Sequence, residues 1–354
     1  MAAKQDYRIA VLKYMFDDPF GDNYRPSVIW HADMVRDIFT TSNGYSVRDY
    51  WMRSTLNMLR PSFEFPNHAW LRLGRSHAEL RNDRAKIAAA VRERAANDGF
   101  NLNGFDGVIA FMNPPELNAG TQGNDTTVLA QDALMPYYLH EVGHLLGFQD
   151  AFGVIMADDD KTGHMYNDKW DVMGDQWPKM EVVQPFAGWE HAELIKGPDF
   201  WSNTVPPCAA HVWRRFWNTQ VFESQGRVAR IRRGERRWIR SWTTAHGSVL
   251  QDPLLVVAQD GDDGPTVTVE LRLPFWADRP GWTAASTRGV ALIHSFRYRR
   301  LEPHQTQTYP SWHEGTLLME TGASFSTQDG DRWKITVTGV DLRDGDTRAE
   351  ILVE

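Results

Sequence analysis

Residues 140–150 read HEVGHLLGFQD. A helix carries residues four apart on one face, so His140 and His144 point the same way and can grip one metal ion. Glu141 stands beside them, where a general base for a metal-bound water is needed. Gly147 can take the left-handed conformation that ends a helix, which lets the chain turn back and offer Asp150 as a third ligand. The competing reading is a histidine pair on an apolar helix with no metal. With 12 His in the chain, chance gives an H-E-x-x-H run in roughly a few per hundred such sequences, and requiring Gly147 and Asp150 as well makes coincidence about a hundredfold rarer. The chemistry to expect is zinc-assisted hydrolysis.

The 354 residues are enough for two domains, and 42% hydrophobic with 24% charged residues is ordinary for a globular chain. No apolar run approaches the roughly 20 residues that span a membrane. The N-terminal MAAKQDYRIAVLKYMF lacks an extended apolar region with a small-residue cleavage site, so no signal peptide is expected there. The single Cys208 excludes an internal disulfide framework and a zinc site built on several thiolates. We read it as a packed or half-exposed thiol with no catalytic role. Charge is uneven: residues 1–195 hold 18 Lys+Arg against 27 Asp+Glu, and residues 196–354 hold 20 against 19. An acidic half around the metal motif fits a cation-binding hydrolase and argues against nucleic acid as a partner.

Outward from the motif, residues 7–15 (YRIAVLKYM) and 106–112 (DGVIAFM) read as core strands. A helix is expected from Ser27, with Val28, Ile29, Val35, Ile38 and Phe39 inward, ending before Asn43-Gly44. The stretch TSNGYSVRDYWMRSTLNML reads as strands joined by turns. Ser76 to Glu79 resembles a capping box opening a second helix to about Ala96. Residues 118–125 read as a loop. Thr126–Ala130 reads as a short strand at the sheet edge, where an extended peptide could pair with it or where no ligand binds at all. After residue 200 short apolar runs recur (227–233, 265–273, 289–296, 315–319, 333–340, 348–353), the spacing of a β-sandwich or similar antiparallel domain. The expected organisation is therefore an α/β (α+β) domain over 1–197 and an all-β domain over 198–354, divided near Gly197-Pro198.

The extended motif resembles the metzincin zinc endopeptidases, in which H-E-x-x-H-x-x-G is followed by His or Asp as third ligand. Downstream, Asp171-Val172-Met173-Gly174, within YNDKWDVMGDQW, looks like the methionine turn of that clan. Within it, the pattern is most similar to the immune inhibitor A family, with gametolysin-like proteases as neighbours. PFAGWEHAEL resembles the helix after the turn in that family, and GASFSTQDGDRWKITVTGVD with TRAEILVE resembles its terminal β strands. The likeness is carried mainly by residues 106–196.

The resemblance implies a zinc endopeptidase in which His140, His144 and Asp150 hold the ion. Glu141 takes the proton of the zinc-bound water and returns it to the leaving amine, and Met173 forms the floor of the site. A carboxylate third ligand lowers the pKa of the water less than a third imidazole would. The substrate would be a peptide or protein. Some metzincins carry a Tyr two residues after the turn methionine; here that position is Asp175, and His164 or Tyr166 would have to supply such a donor. His164 is also the reserve ligand. Secretion is the family expectation, and the absent signal peptide leaves a cytoplasmic processing enzyme open. A binding protein with a vestigial metal site is the rival class, and retention of Glu141 argues against it.

Weaker signals remain. Asp158, Asp159 and Asp160, with Asp168, Asp171 and Asp175, would suit calcium, which related proteases hold, although no full calcium-loop spacing is present and a solvated acidic loop is the alternative. RVARIRRGERRWIR (227–240) reads as a hairpin with a solvated basic face rather than a polyanion site. Most of the 15 Trp are expected in cores.

Overall fold

The computed structural model describes residues 5–17, 32–41, 46–80, 83–113, 119–123, 125–131, 133, 135–153, 168, 170–174, 208–215, 221–241, 252–259, 266–273, 289–296, 311–327, 333–342 and 347–354. They form a mixed α and β protein with three sheets and short helices. The chain divides into two compact units, with described residues up to Gly147 in one and from Phe148 onward in the other. The expected boundary near Gly197-Pro198 lies outside the described residues.

The first unit contains β1 (Asp6–Met15), α1 (Ala32–Thr40), α2 (Val47–Ser54), β2 (Arg60–Glu64), β3 (Leu71–Arg72), α3 (His77–Leu80), α4 (Arg84–Asn97), β4 (Gly107–Asn113), β5 (Gly120–Gln122), β6 (Thr126–Ala130) and α5 (Met135–Leu145). Its sheet runs β2-β1-β4-β6-β5, with β3 pairing the far end of β1. β2, β1, β4 and β6 are parallel, and β5 returns antiparallel to β6 through Gly120↔Val128 to Gln122↔Thr126. β4 and β6 are buried at every position, as interior parallel strands must be. β1 buries even Lys13, whose ammonium lies 5.2 Å from the Phe65 ring centre. Burial lowers the Lys13 pKa to about 8, with Asp33 opposing the fall and Arg36 adding to it.

Three sequence expectations are corrected in this unit. Residues 47–54 are a helix, not strands: the Ser46 side chain accepts from the Asp49 amide, and Val47, Tyr50, Trp51 and Ser54 fall on one buried face. The helix expected from Ser76 is two: Ser76 caps only α3, and Asp83 caps α4 by accepting from the Lys86 amide. Finally, β6 is not at the sheet edge. Residues 120–122, expected as loop, pair with it and take the outer position among the described strands. Of the helix expected from Ser27, residues 32–40 are helical with Val35, Ile38 and Phe39 fully buried, and 27–31 lie outside the described residues.

The second unit contains β7 (Ala151–Gly153), α6 (Ala209–Arg215), α7 (Val221–Ser224), β8 (Val228–Ile231), β9 (Arg236–Arg240), β10 (Leu255–Gln259), β11 (Thr266–Arg272), β12 (Val290–Phe296), β13 (Ser311–Leu318), β14 (Ser324–Ser326), β15 (Lys334–Asp341) and β16 (Arg348–Val353). One sheet runs β7-β13-β12-β11-β10-β8 and the other β14-β15-β16-β9. Their apolar faces share one core, in which Val256, Val269, Leu271 and Ile293 meet Ile239, Ile335, Val337 and Ile351. β8 and β9 come from the basic stretch but are not the expected hairpin, since β8 pairs with β10 and β9 with β16 in the other sheet; Arg230, Arg236 and Arg237 are exposed, as a solvated face requires. No helix of the described residues is long and apolar enough to cross a membrane.

Candidate metal centre

α5 is apolar around most of its circumference and accordingly buried, with Met135, Tyr138, Leu139, Val142 and Leu145 in contact with the interior. Pro136 sits in its first turn, where the missing N–H costs nothing. Tyr138 Oη donates to the Ala130 and Gln131 carbonyls at 2.9 and 2.8 Å, pinning the helix to the end of β6. Two turns of this helix present His140, 1% exposed, Glu141, 5% exposed, and the half-buried His144.

Polar groups in so apolar a helix need partners. The two imidazoles face one another, with His140 Nε2 and His144 Nε2 3.1 Å apart. Glu141 finds its partner on the outer strand: Thr121 Oγ1 donates to Glu141 Oε2 at 2.8 Å. Thr127 Oγ1 lies 2.8 Å from Thr121 Oγ1 and backs that contact. Sequence reasoning missed Thr121, because nothing in GTQ marks it as a strand. The alternating Thr121 and Thr127 across an antiparallel pair is the signal that could have found it.

Gly147 ends the helical stretch with φ +85°, as a left-handed stop does. The chain then reaches Asp150 on the same continuous segment. His140 and His144 belong to the first unit, and Asp150 is the third described residue of the second. Tetrahedral zinc with nitrogen and oxygen donors at 2.0–2.2 Å separates its ligand atoms by roughly 3.3–3.6 Å. The two imidazole nitrogens, 3.1 Å apart, come close to that separation, and a carboxylate is a donor such an ion also takes.

Residues 170–174 form a tight turn held by its own carboxylates. Asp168 Oδ1 accepts from the Trp170 amide at 3.0 Å, and Asp171 Oδ1 accepts from the Met173 amide at 2.8 Å. Gly174 closes on Asp168 so tightly that a Cβ there would lie 2.3 Å from the Asp168 carbonyl oxygen. Met173 is fully buried, and its carbonyl accepts from the Ala151 amide at 2.9 Å, tying the turn to the residue after Asp150. His164 and Tyr166, the suggested donors, lie outside the described residues, as do Asp158 to Asp160 and Asp175 of the suggested calcium loop.

Behind the turn, Asp171 Oδ2 accepts from the Cys208 amide at 2.8 Å and lies 3.1 Å from His211 Nδ1. Asp168 Oδ2 lies 2.9 Å from His294 Nε2. Burial works against ionisation of Asp168, but the charge and hydrogen bond of His294 outweigh it and hold the carboxyl below its usual range. Burial also disfavours a charged His294, yet Asp168 raises its pKa above the ordinary value. The Cys208 thiol is fully buried, the packed one of the two expected states, and burial followed by Glu270, Asp168 and Asp171 pushes its pKa well up.

Compared with known proteins, the chain matches no family model, and no curated protein matches it.

Proposed function

We propose that the protein is a zinc-dependent endopeptidase of metzincin type, with a catalytic unit carrying α5 and a sandwich-like β unit. The observation that carries this reading is α5 itself. It sets two imidazole nitrogens 3.1 Å apart and holds the intervening carboxylate by a 2.8 Å hydrogen bond from Thr121. His140, His144 and Asp150 are the residues that would hold zinc. When bound, the ion supplies Lewis-acid activation of water and of the scissile carbonyl.

The chain's own groups do the rest. Glu141 accepts a proton from the attacking water at its carboxylate and delivers it to the departing amine, which needs a carboxylate of fixed orientation. Thr121 fixes it, leaving the second oxygen, Oε1, for the proton. The turn of residues 170–174 buries Met173 as a rigid apolar element, which supports the structural role the resemblance gives it. A peptide or protein chain is the substrate class.

The test is a chelator-reversible peptidase assay on wild type and Glu141→Ala, with metal content measured on both. Equal zinc with hydrolysis lost in Glu141→Ala is the expected outcome. Absence of hydrolysis by the wild type over a varied peptide set would move the reading to a metal-binding protein without turnover.

A further inference from the structure

Within the second unit lies another group of metal-ligating side chains. Asp168 precedes the 170–174 turn, Cys208 precedes α6 and His294 is central in β12. All three are 0% exposed, and one ligand atom of each lies within 4.8 Å of the others. A carboxylate, a thiol and an imidazole gathered from three distant places in the chain are unusual company for a protein interior, where polar groups are expensive without compensation.

The cluster is not complete as a hydrogen-bonded network. Asp168 and His294 face each other at 2.9 Å, and the Cys208 sulfur spends its proton on the Trp170 carbonyl at 3.3 Å. His294 Nδ1 is buried and has no hydrogen-bond partner among the described residues. The nearby ionic groups are already committed. Glu270 is held by the Arg272 guanidinium at 2.6 Å, and Asp171 by His211 and the Cys208 amide.

We propose that Asp168, Cys208 and His294 form a second, structural site for zinc or a similarly thiophilic divalent cation. Donor atoms on tetrahedral zinc, with sulfur at 2.3 Å and nitrogen and oxygen at 2.0–2.2 Å, stand roughly 3.3–3.7 Å apart, so the trio needs only small side-chain adjustments. Charge closes as well. As the metal–sulfur bond forms, the thiol proton leaves to solvent, and the imidazole binds in its neutral form. Carboxylate, thiolate and a dipositive ion then sum to zero inside the core. Such an ion staples the turn carrying Met173 to α6 and to the centre of the larger sheet. The site shares no residue with the His140–His144–Asp150 set and does not rest on the proposed activity.

Cobalt substitution of the full chain tests it, because thiolate ligation gives a sulfur-to-cobalt charge-transfer absorption in the near ultraviolet that imidazole and carboxylate ligands do not. The metal-depleted protein titrated with Co2+ should develop that band at one equivalent per chain. His140→Ala/His144→Ala should keep it, and Cys208→Ser should lose it with one equivalent of metal. A wild-type cobalt protein without the band overturns the site and leaves a proton-only polar knot. So does a band that Cys208→Ser retains. If Cys208→Ser does not fold, the wild-type spectrum decides alone. One bound equivalent with the band would support this site while counting against the His140–His144 centre.

Discussion

Replacing Thr121 with valine removes one hydroxyl and keeps the shape of the side chain. In the structure that hydroxyl lies 2.8 Å from Glu141 Oε2, and Thr127 Oγ1 lies 2.8 Å behind it. A hydrogen bond to a charged group contributes about 1.5–3 kcal/mol. Thr121 is half-buried, which argues for the lower part of that range. Each 1.4 kcal/mol of transition-state stabilisation is tenfold in rate, so Thr121→Val should lower kcat about 10- to 30-fold. The hydroxyl is assigned no metal or substrate contact, so zinc content and KM should stay within about twofold of wild type. Thr121→Ser retains the donor and should restore kcat to within about threefold of wild type. Steady-state kinetics on a fluorogenic peptide, with zinc measured on each variant, makes the comparison. A Thr121→Val enzyme with unchanged kcat would refute the reasoning, as would a serine variant as slow as the valine one.

Further outcomes follow from the packing. Gly174→Ala drives a Cβ against the Asp168 backbone carbonyl at 2.3 Å, and the overpacked turn should lose about 2–3 kcal/mol in denaturant unfolding; a loss below 1 kcal/mol on this scale would mean the turn relaxes freely. Arg272→Met strips the partner from Glu270, both being 0% exposed. It should cost about 3–5 kcal/mol, part of which Glu270→Gln in the same background recovers. Lys13→Met should stabilise the protein at pH 7 by about 1–3 kcal/mol. The sign follows from the lysine pKa of about 8 in the fold against 10.5 for the free side chain. Between those values the unfolded chain binds more protons, so wild-type stability rises with pH across that window. Urea titrations at pH 7 and pH 10 should show the rise in wild type and lose it in Lys13→Met.

The parts of this molecule that were legible in sequence are those fixed by local chemistry. The alternation and apolar runs of β1 and β4, the helix carrying HEVGH and the stop at Gly147 each depend on neighbours within a few residues. α2 escaped because Val47, Tyr50 and Trp51 carry β propensity, while burial of one helical face overrides it. Gly120–Gln122 escaped because a three-residue strand has no periodicity of its own and exists only by pairing with β6. β10, Leu255–Gln259, is a plain apolar run after Pro253, and it pairs parallel with β8 and antiparallel with β11. In the site, His140, Glu141 and His144 were legible as a spacing. Thr121 was not, since its role depends on strand pairing. The trio of Asp168, Cys208 and His294 was not legible either, since 40 and then 86 residues of chain separate its members.

The central claim is that residues 140–150 hold the ion that makes Glu141 a useful base. A zinc-edge anomalous difference map from crystals of the zinc-loaded protein tests it most directly. A peak is expected about 2.0–2.2 Å from one nitrogen each of His140 and His144 and from an Asp150 carboxylate oxygen. Zinc-loaded crystals with no peak on these residues, or with one from which the Asp150 carboxylate is turned away, would contradict it.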